Sequence, residues 1–314
     1  MMQPEIIAIG EPMLEFNAEE EGALSEASRF IVGWGGDTSN FCIAASRAGA
    51  RVGYLTRLGE DEFGESFLKL WRREGIDTSR IVKDSDAFTA AYFISRKGKQ
   101  HYFTYFRRDS AASRMTPGFL PKDYIAGARL LHVSGISQAI SPSACDTVFA
   151  AMALARAAGR LVSYDPNFRP KLWPLDRARA VIHETCRQAD LIFPSLDDAR
   201  QLTGQTAAED IARFYLKLGP KVVVIKLGAD GALLATADGL AMFPPFKVDS
   251  IDMSGAGDTF DGAFAAAYLA GRPVMECMRF ANAAAAITTK GLGCVTPVPR
   301  REAIEALMLR QPPG

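Results

Sequence analysis

Charge of one sign, paired cysteines and long apolar runs are all missing from this sequence, and each absence removes a class of function. Lys and Arg number 36, and so do Asp and Glu. No segment gathers basic residues on one face, so the counterion release that drives nucleic-acid binding has no source. No apolar stretch reaches the roughly 18 residues that cross a bilayer, and the start, MMQPEIIAIG, has no basic segment followed by an apolar one. A soluble, cytoplasmic protein with no membrane or nucleic-acid partner is expected. Cys42, Cys145, Cys186, Cys277 and Cys294 never form a CxxC pair, and His101, His132 and His183 lie far apart. Neither a disulfide framework nor a zinc cluster fits that pattern; reduced thiols packed as small apolar groups do.

What is present suffices for a large core: 48% of the 314 residues are hydrophobic and 23% are charged. Runs rich in Val, Ile and Leu recur between helical patterns: IIAIG at 6–10, VGYLTRLG at 52–59, LLHVSG at 130–135, LVSYDPN at 161–167, LIFPS at 191–195 and VVVIKLG at 222–228. Such alternation predicts βαβ units and a mostly parallel sheet covered on both faces. Nearly every run ends in Gly, Pro, Ser, Asp or Asn, where an open α/β sheet binds its ligands. Two stretches break the alternation, at 11–35 and 86–112. In the second, TAAYFISRKGKQHYFTYF alternates apolar and polar residues around KGKQ and predicts an antiparallel hairpin with a heavy aromatic load. No long linker or internal repeat appears, so one domain over 1–314 with a small β appendage is expected.

The most informative segment is DMSGAGDTFDGAFAAAYLAG at 252–271. The turn Gly255, Ala256, Gly257 precedes an Ala-rich helical run, which places free backbone N–H groups and a positive helix end at one point, suited to phosphate oxygens. Asp258 follows in the first turn, where it can take a proton from a substrate hydroxyl or merely charge the helix start.

The segment resembles the DTxGAGD signature of the ribokinase-like sugar kinases, the PfkB carbohydrate kinase family. The second family signature, a double glycine, a helix and a GxDxxG turn, is matched by GWGGDTSNFCIAASRAGARVGYLTRLGEDEFG at 33–64. The resemblance implies a three-layer α/β/α sandwich with a β lid formed by 11–35 and 86–112. Three further features, GEPMLEF at 10–16, YFRRDSAASRM at 105–115 and DPNFRPKLW at 165–173, resemble the family members that act on 2-keto-3-deoxygluconate. Such a keto acid carries a carboxylate, and the guanidinium forks of Arg107 and Arg169 suit it. Either arginine taken alone would read as a surface ion pair.

The same resemblance implies a set of roles. Asp258 would be the general base, with Gly255, Ala256 and Gly257 as the anion hole. Gly35, Gly36 and Asn40 would line the sugar pocket, and Tyr92 and Tyr105 would cover it from the lid, although either tyrosine could serve hairpin packing. Asp165 and Asn167 would hold the site or form an Asx turn that fixes Arg169. For ATP, Lys226, Gly228 and Gly231 come from KLGADG and Asn282 from FANAAAAI, with Gly255 and Gly257 at the phosphates. The family's NxxE element near the metal is replaced here by Ser195 and Asp198. Asp198 would reach magnesium through water, with Ser195 beside the nucleotide. A kinase for fructose or another neutral sugar is the nearest alternative. A sugar-binding protein without catalysis is another, and a dinucleotide oxidoreductase is disfavoured because GEPMLEF lacks GxGxxG. The exposed edge of the hairpin predicts a homo-oligomer joined through the lid.

Overall fold

The apolar runs send alternate side chains to opposite faces of a sheet, and both faces are buried. The computed structural model of the protein describes residues 3–98 and 100–312, so Lys99 in the expected KGKQ turn lies outside the described residues. The chain runs through β1 (Ile6–Ile9), β2 (Met13–Ala18), β3 (Phe30–Gly35), helix α1 (Asp37–Arg47) and β4 (Val52–Leu55). Next come β5 (Arg57–Gly59), α2 (Glu62–Arg73), β6 (Val82–Asp84), β7 (Ala91–Lys97) and β8 (Gln100–Phe106). Alternation then resumes with α3 (Lys122–Gly127), β9 (Leu130–Ser134), α4 (Gly135–Ala139), α5 (Pro142–Ala157), β10 (Leu161–Asp165), α6 (Leu175–Gln188) and β11 (Leu191–Ile192). The last part holds α7 (Leu196–Thr203), α8 (Ala208–Leu218), β12 (Val222–Lys226), β13 (Ala232–Thr236), β14 (Gly239–Phe243), α9 (Ala256–Leu269), α10 (Val274–Thr288) and α11 (Arg301–Arg310).

The main sheet has eight strands in the order β14-β13-β12-β11-β10-β9-β1-β4. It is parallel from β12 to β4, with β13 and β14 antiparallel at one edge. Ile6, Ala8, Val52, Tyr54, Val222 and Val224 pack on one face with residues of α1, α2, α9 and α10. Ile7, Ile9, Leu131, Val133, Val223 and Ile225 pack on the other with α5, α6 and α8. The result is the expected three-layer sandwich. Among the described residues no helix is long and apolar enough to cross a membrane.

The two stretches that break the alternation meet in one four-stranded sheet, β3-β2-β7-β8. The hairpin β7–β8 is antiparallel, while β2 pairs with β7 in parallel. VGYLTRLG does not stay one strand. At Thr56 the chain leaves the main sheet, and β5 pairs with β6, where Arg57 Nη2 bonds Asp84 Oδ2 at 2.8 Å.

Close packing of α1 on α9 sets the frame of the site. A Cβ at Gly262 would lie 2.5 Å from the Phe41 carbonyl oxygen and 2.8 Å from Ala44 Cβ, so only glycine permits the observed approach. Asn40 precedes Phe41 on α1, and Asp258 lies one turn before Gly262 on α9. The contact therefore brings those two polar side chains together.

Candidate active site

A cavity of 1730 Å³ opens beyond the carboxyl ends of β10 and β12, bounded by the first turns of α1 and α9 and by the tyrosine face of the four-stranded sheet. Crevices at this end of an open α/β sheet take ligands, because the polar loops there are released from strand pairing.

At its centre α9 starts on Gly255, which has φ +71° and caps the helix. A Cβ there would meet the Cys294 carbonyl oxygen at 2.9 Å, so glycine serves both the left-handed turn and the close approach. Ala256 N–H is spent on the Met253 carbonyl at 3.3 Å, and Thr259 N–H begins the helical ladder on Gly255. By helix geometry the N–H groups of Gly257 and Asp258 have no carbonyl one turn back, and both residues line the cavity. Asp258 Oδ2 accepts from Asn40 Nδ2 at 2.8 Å, while Asn40 Oδ1 is buried and has no partner. Loss of water, and next the neighbouring Asp37, push the Asp258 carboxyl up to about 7. A carboxylate poised there can accept a proton near neutral pH.

Behind Asp258 lies a charged cluster. Lys226 Nζ bonds Asp165 Oδ2 at 2.8 Å and Asp261 Oδ2 at 3.1 Å. Burial alone would lower the Lys226 pKa, but the two carboxylates outweigh it and keep the ammonium charged. Burial works against charge on Asp165, yet Lys226 holds its carboxyl below the usual range. Asp261 goes the other way, raised mainly by burial. The ammonium remains near the phosphate-facing turn: a Cβ on Gly257 would sit 3.4 Å from Nζ.

Tyr92, Tyr105, Arg107, Asn167 and Arg169 all line the cavity. The Tyr92 phenol donates to buried Glu15, and its ring lies 5.9 Å from that of Tyr105. Gly35 serves this tyrosine and does not line the cavity, since a Cβ there would fall 2.5 Å from Tyr92 Oη; Gly36 does line it. Arg107 is only 10% exposed and pairs with buried Glu11. Its Nη2 lies 2.5 Å from Glu11 Oε2, and its Nε is buried without a protein acceptor. Arg169 is 47% exposed, 3.8 Å from Asp198 Oδ2. Asp165 Oδ1 accepts from Asn167 N–H at 3.1 Å in the Asx turn, Asn167 has φ +37°, and Asn167 Nδ2 donates to Asp37 Oδ2 at 3.1 Å.

Ser195, Asp198, Gly228, Gly231 and Asn282 also line the cavity, with Asp198 beside Arg169. Ser195 Oγ caps α7 by accepting from Asp198 N–H at 3.2 Å, and Asp198 in turn accepts from Phe168 N–H at 3.2 Å. KLGADG is the β12–β13 turn, with φ +62° at Gly228 and +92° at Gly231, and it borders the cavity as well. Asn282 Nδ2 reaches the Pro244 carbonyl at 3.4 Å beside Ala285 and Ala286.

Five residues of the site have no counterpart in the sequence reading: Glu11, Glu15, Asp37, Asp261 and Cys294. Asp37 directly follows the double glycine, and Asp261 lies one turn after Asp258 on the same helix face, so spacing could have found both. Cys294 Sγ is 3.6 Å from Glu15 Oε2, a contact between positions 279 apart in the chain. Residues 3–301 match the family model described as pfkB family carbohydrate kinase. The chain is 35% identical to 2-dehydro-3-deoxygluconokinase of Bacillus subtilis, over 99% of this chain and 97% of that protein. It is 34% identical to probable fructokinase-2 of Arabidopsis thaliana, over 94% of this chain and 92% of that one. The crystal structure of a PfkB protein from Polaromonas sp. JS666 superposes with a TM-score of 0.89 at 34% identity, covering 96% of this chain and 99% of that chain.

Proposed function

The chain belongs to the PfkB family of carbohydrate kinases, and within it we propose an ATP-dependent kinase that phosphorylates the terminal hydroxyl of 2-keto-3-deoxy-D-gluconate, giving the 6-phosphate and ADP. The observation that supports this choice of substrate is that the guanidinium-bearing residues Arg107 and Arg169 both line the cavity. A cavity wall that carries two guanidinium groups suits a substrate carboxylate better than a neutral sugar. One reading favours fructose or another neutral sugar: Glu11 already balances the charge of Arg107, so the pair could persist without a substrate anion. The likeness to a fructokinase is nearly as high as that to the keto-acid kinase.

In the proposed reaction Asp258 takes the proton of the terminal hydroxyl as its oxygen bonds the γ-phosphorus of ATP. The bond from that phosphorus to the β,γ-bridging oxygen breaks and ADP leaves. Asn40 holds Asp258 in place, and the N–H groups of Gly257 and Asp258 with the α9 dipole stabilise charge on the transferring group. Lys226 keeps Asp165 ionised and adds positive charge beside Gly257. Among the described residues no three His, Cys, Asp or Glu side chains gather as a metal cage. A magnesium ion would be carried by the nucleotide phosphates, with Asp198, on the cavity wall, reaching it through water. Magnesium would neutralise phosphate charge.

We read the sheet β3-β2-β7-β8 as a lid on the sugar. Its other face carries an apolar pocket of 610 Å³ lined by Phe63, Phe88, Phe93 and Phe106. A second copy of the chain covering that face would make a homo-oligomer through the lid. Kinetics with ATP on a panel of sugars and sugar acids tests the substrate. The keto acid is expected to lead.

A further inference from the structure

Three segments distant in sequence converge on one point beside Arg107. Glu11 belongs to GEPMLEF, Arg107 to YFRRD and Ser110 to SAAS. Glu11 is 1% exposed and does not line the cavity. Its Oε2 lies 2.5 Å from Arg107 Nη2, and its Oε1 accepts from Ser110 Oγ at 2.5 Å. Local backbone geometry builds this arrangement. Asp109, at φ +60°, turns the chain so that Ser110 N–H bonds the Arg107 carbonyl at 3.2 Å, and Ser113 Oγ ties back to the Ser110 carbonyl at 2.7 Å. Gly36 holds the other side: at φ +98° it lies so near the Glu11 corner that a Cβ would fall 2.4 Å from Glu11 O and 2.7 Å from Pro12 Cα.

We propose that Glu11 is a positioning residue for the substrate: its carboxylate, set by Ser110, holds the Arg107 guanidinium in the orientation that receives the substrate carboxylate. An arginine on a flexible stem loses rotamer freedom when it binds a ligand, and a fixed counter-carboxylate removes that cost in advance. It also gives the guanidinium a partner in the absence of substrate, when an unpaired buried cation would be expensive. Glu11 holds the Nη2 side of the guanidinium from behind, and Arg107 still lines the cavity in which the substrate carboxylate would lie.

This inference rests on the keto-acid reading, and chemical rescue separates the two. Arg107→Ala should raise the KM for 2-keto-3-deoxygluconate at least about tenfold and leave the KM for ATP unchanged. Added guanidinium ion should enter the space left by the side chain, pair with Glu11 and lower the sugar-acid KM again. The rescue should vanish in Arg107→Ala/Glu11→Gln. A purely structural Glu11 would change the thermal midpoint without deciding whether guanidinium rescues. Rescue of equal size with glutamate and glutamine at 11, or rescue in neither, overturns the inference. An Arg107→Ala variant with unchanged keto-acid KM overturns the keto-acid reading itself. Should the double variant fail to fold, Ser110→Ala in the Arg107→Ala background takes its place, with reduced rescue expected and undiminished rescue contradicting the proposal.

Discussion

Lowering the pH through 7 should slow the enzyme in a way that Asp258 dictates. In water an aspartate is almost fully ionised above pH 5. Here desolvation and the charge of Asp37 push the Asp258 carboxyl up to about 7. A general base works only when ionised, so the active fraction is about one half at pH 7 and about one eleventh at pH 6. The ratio kcat/KM for the sugar, at saturating magnesium-ATP, should therefore fall about fivefold between those pH values and about tenfold per unit below them. Asp37→Asn removes the second cause of the shift and should move this limb to lower pH with its slope unchanged. Asp258→Asn keeps the shape and the acceptor for Asn40 Nδ2 but cannot take the proton. Turnover should drop at least about a hundredfold, with ATP and sugar binding largely intact. A flat profile between about pH 5 and 8, or near-normal turnover in Asp258→Asn, would remove this residue from the mechanism.

Other perturbations probe the remaining parts. Arg107→Ala and Arg169→Ala should each weaken the keto acid by about 10- to 150-fold, the equivalent of one charged hydrogen bond of about 1.5–3 kcal/mol, with little change for ATP; equal effects on both substrates would contradict the assignment. Lys226→Met leaves Asp165 and Asp261 facing each other without a cation, and breaking such a buried cluster should cost about 3–5 kcal/mol in urea unfolding. A loss below about 1 kcal/mol would show the cluster to be solvated like an ordinary surface pair. Light scattering at micromolar protein should give at least a dimer, and a 34 kDa monomer would contradict pairing through the lid.

The sandwich was legible because β1, β9, β10 and β12 are short apolar runs flanked by helical patterns, and both faces of each need cover. Strand β11 was harder to bound: it is regular only over Leu191 and Ile192, and its pairing continues as isolated bonds to Ser195, where α7 is capped. The break at Thr56 was not read from VGYLTRLG, because only the later β6 draws its second half away. At the site, Gly255 to Asp258 could be placed at a helix start from glycine and alanine content alone. The Tyr92 phenol could not be oriented, because its acceptor, Glu15, lies 77 positions away. Glu11 escaped for the same reason. It is an unremarkable acid in GEPMLEF until the fold sets it 99 positions from its own sequence against Ser110. Local pattern reports which face a residue takes, and only tertiary contact reports what it meets.

The choice of substrate is tested most directly by measuring kcat/KM for 2-keto-3-deoxygluconate and for fructose with the unmodified protein and ATP. Arg107 and Arg169 on the cavity wall predict that the keto acid is preferred by at least about a hundredfold, since a carboxylate gains charged hydrogen bonds that a neutral sugar lacks. Fructose phosphorylated equally well or better would contradict the account, leaving Arg107 as a structural partner of Glu11 and the protein as a neutral-sugar kinase.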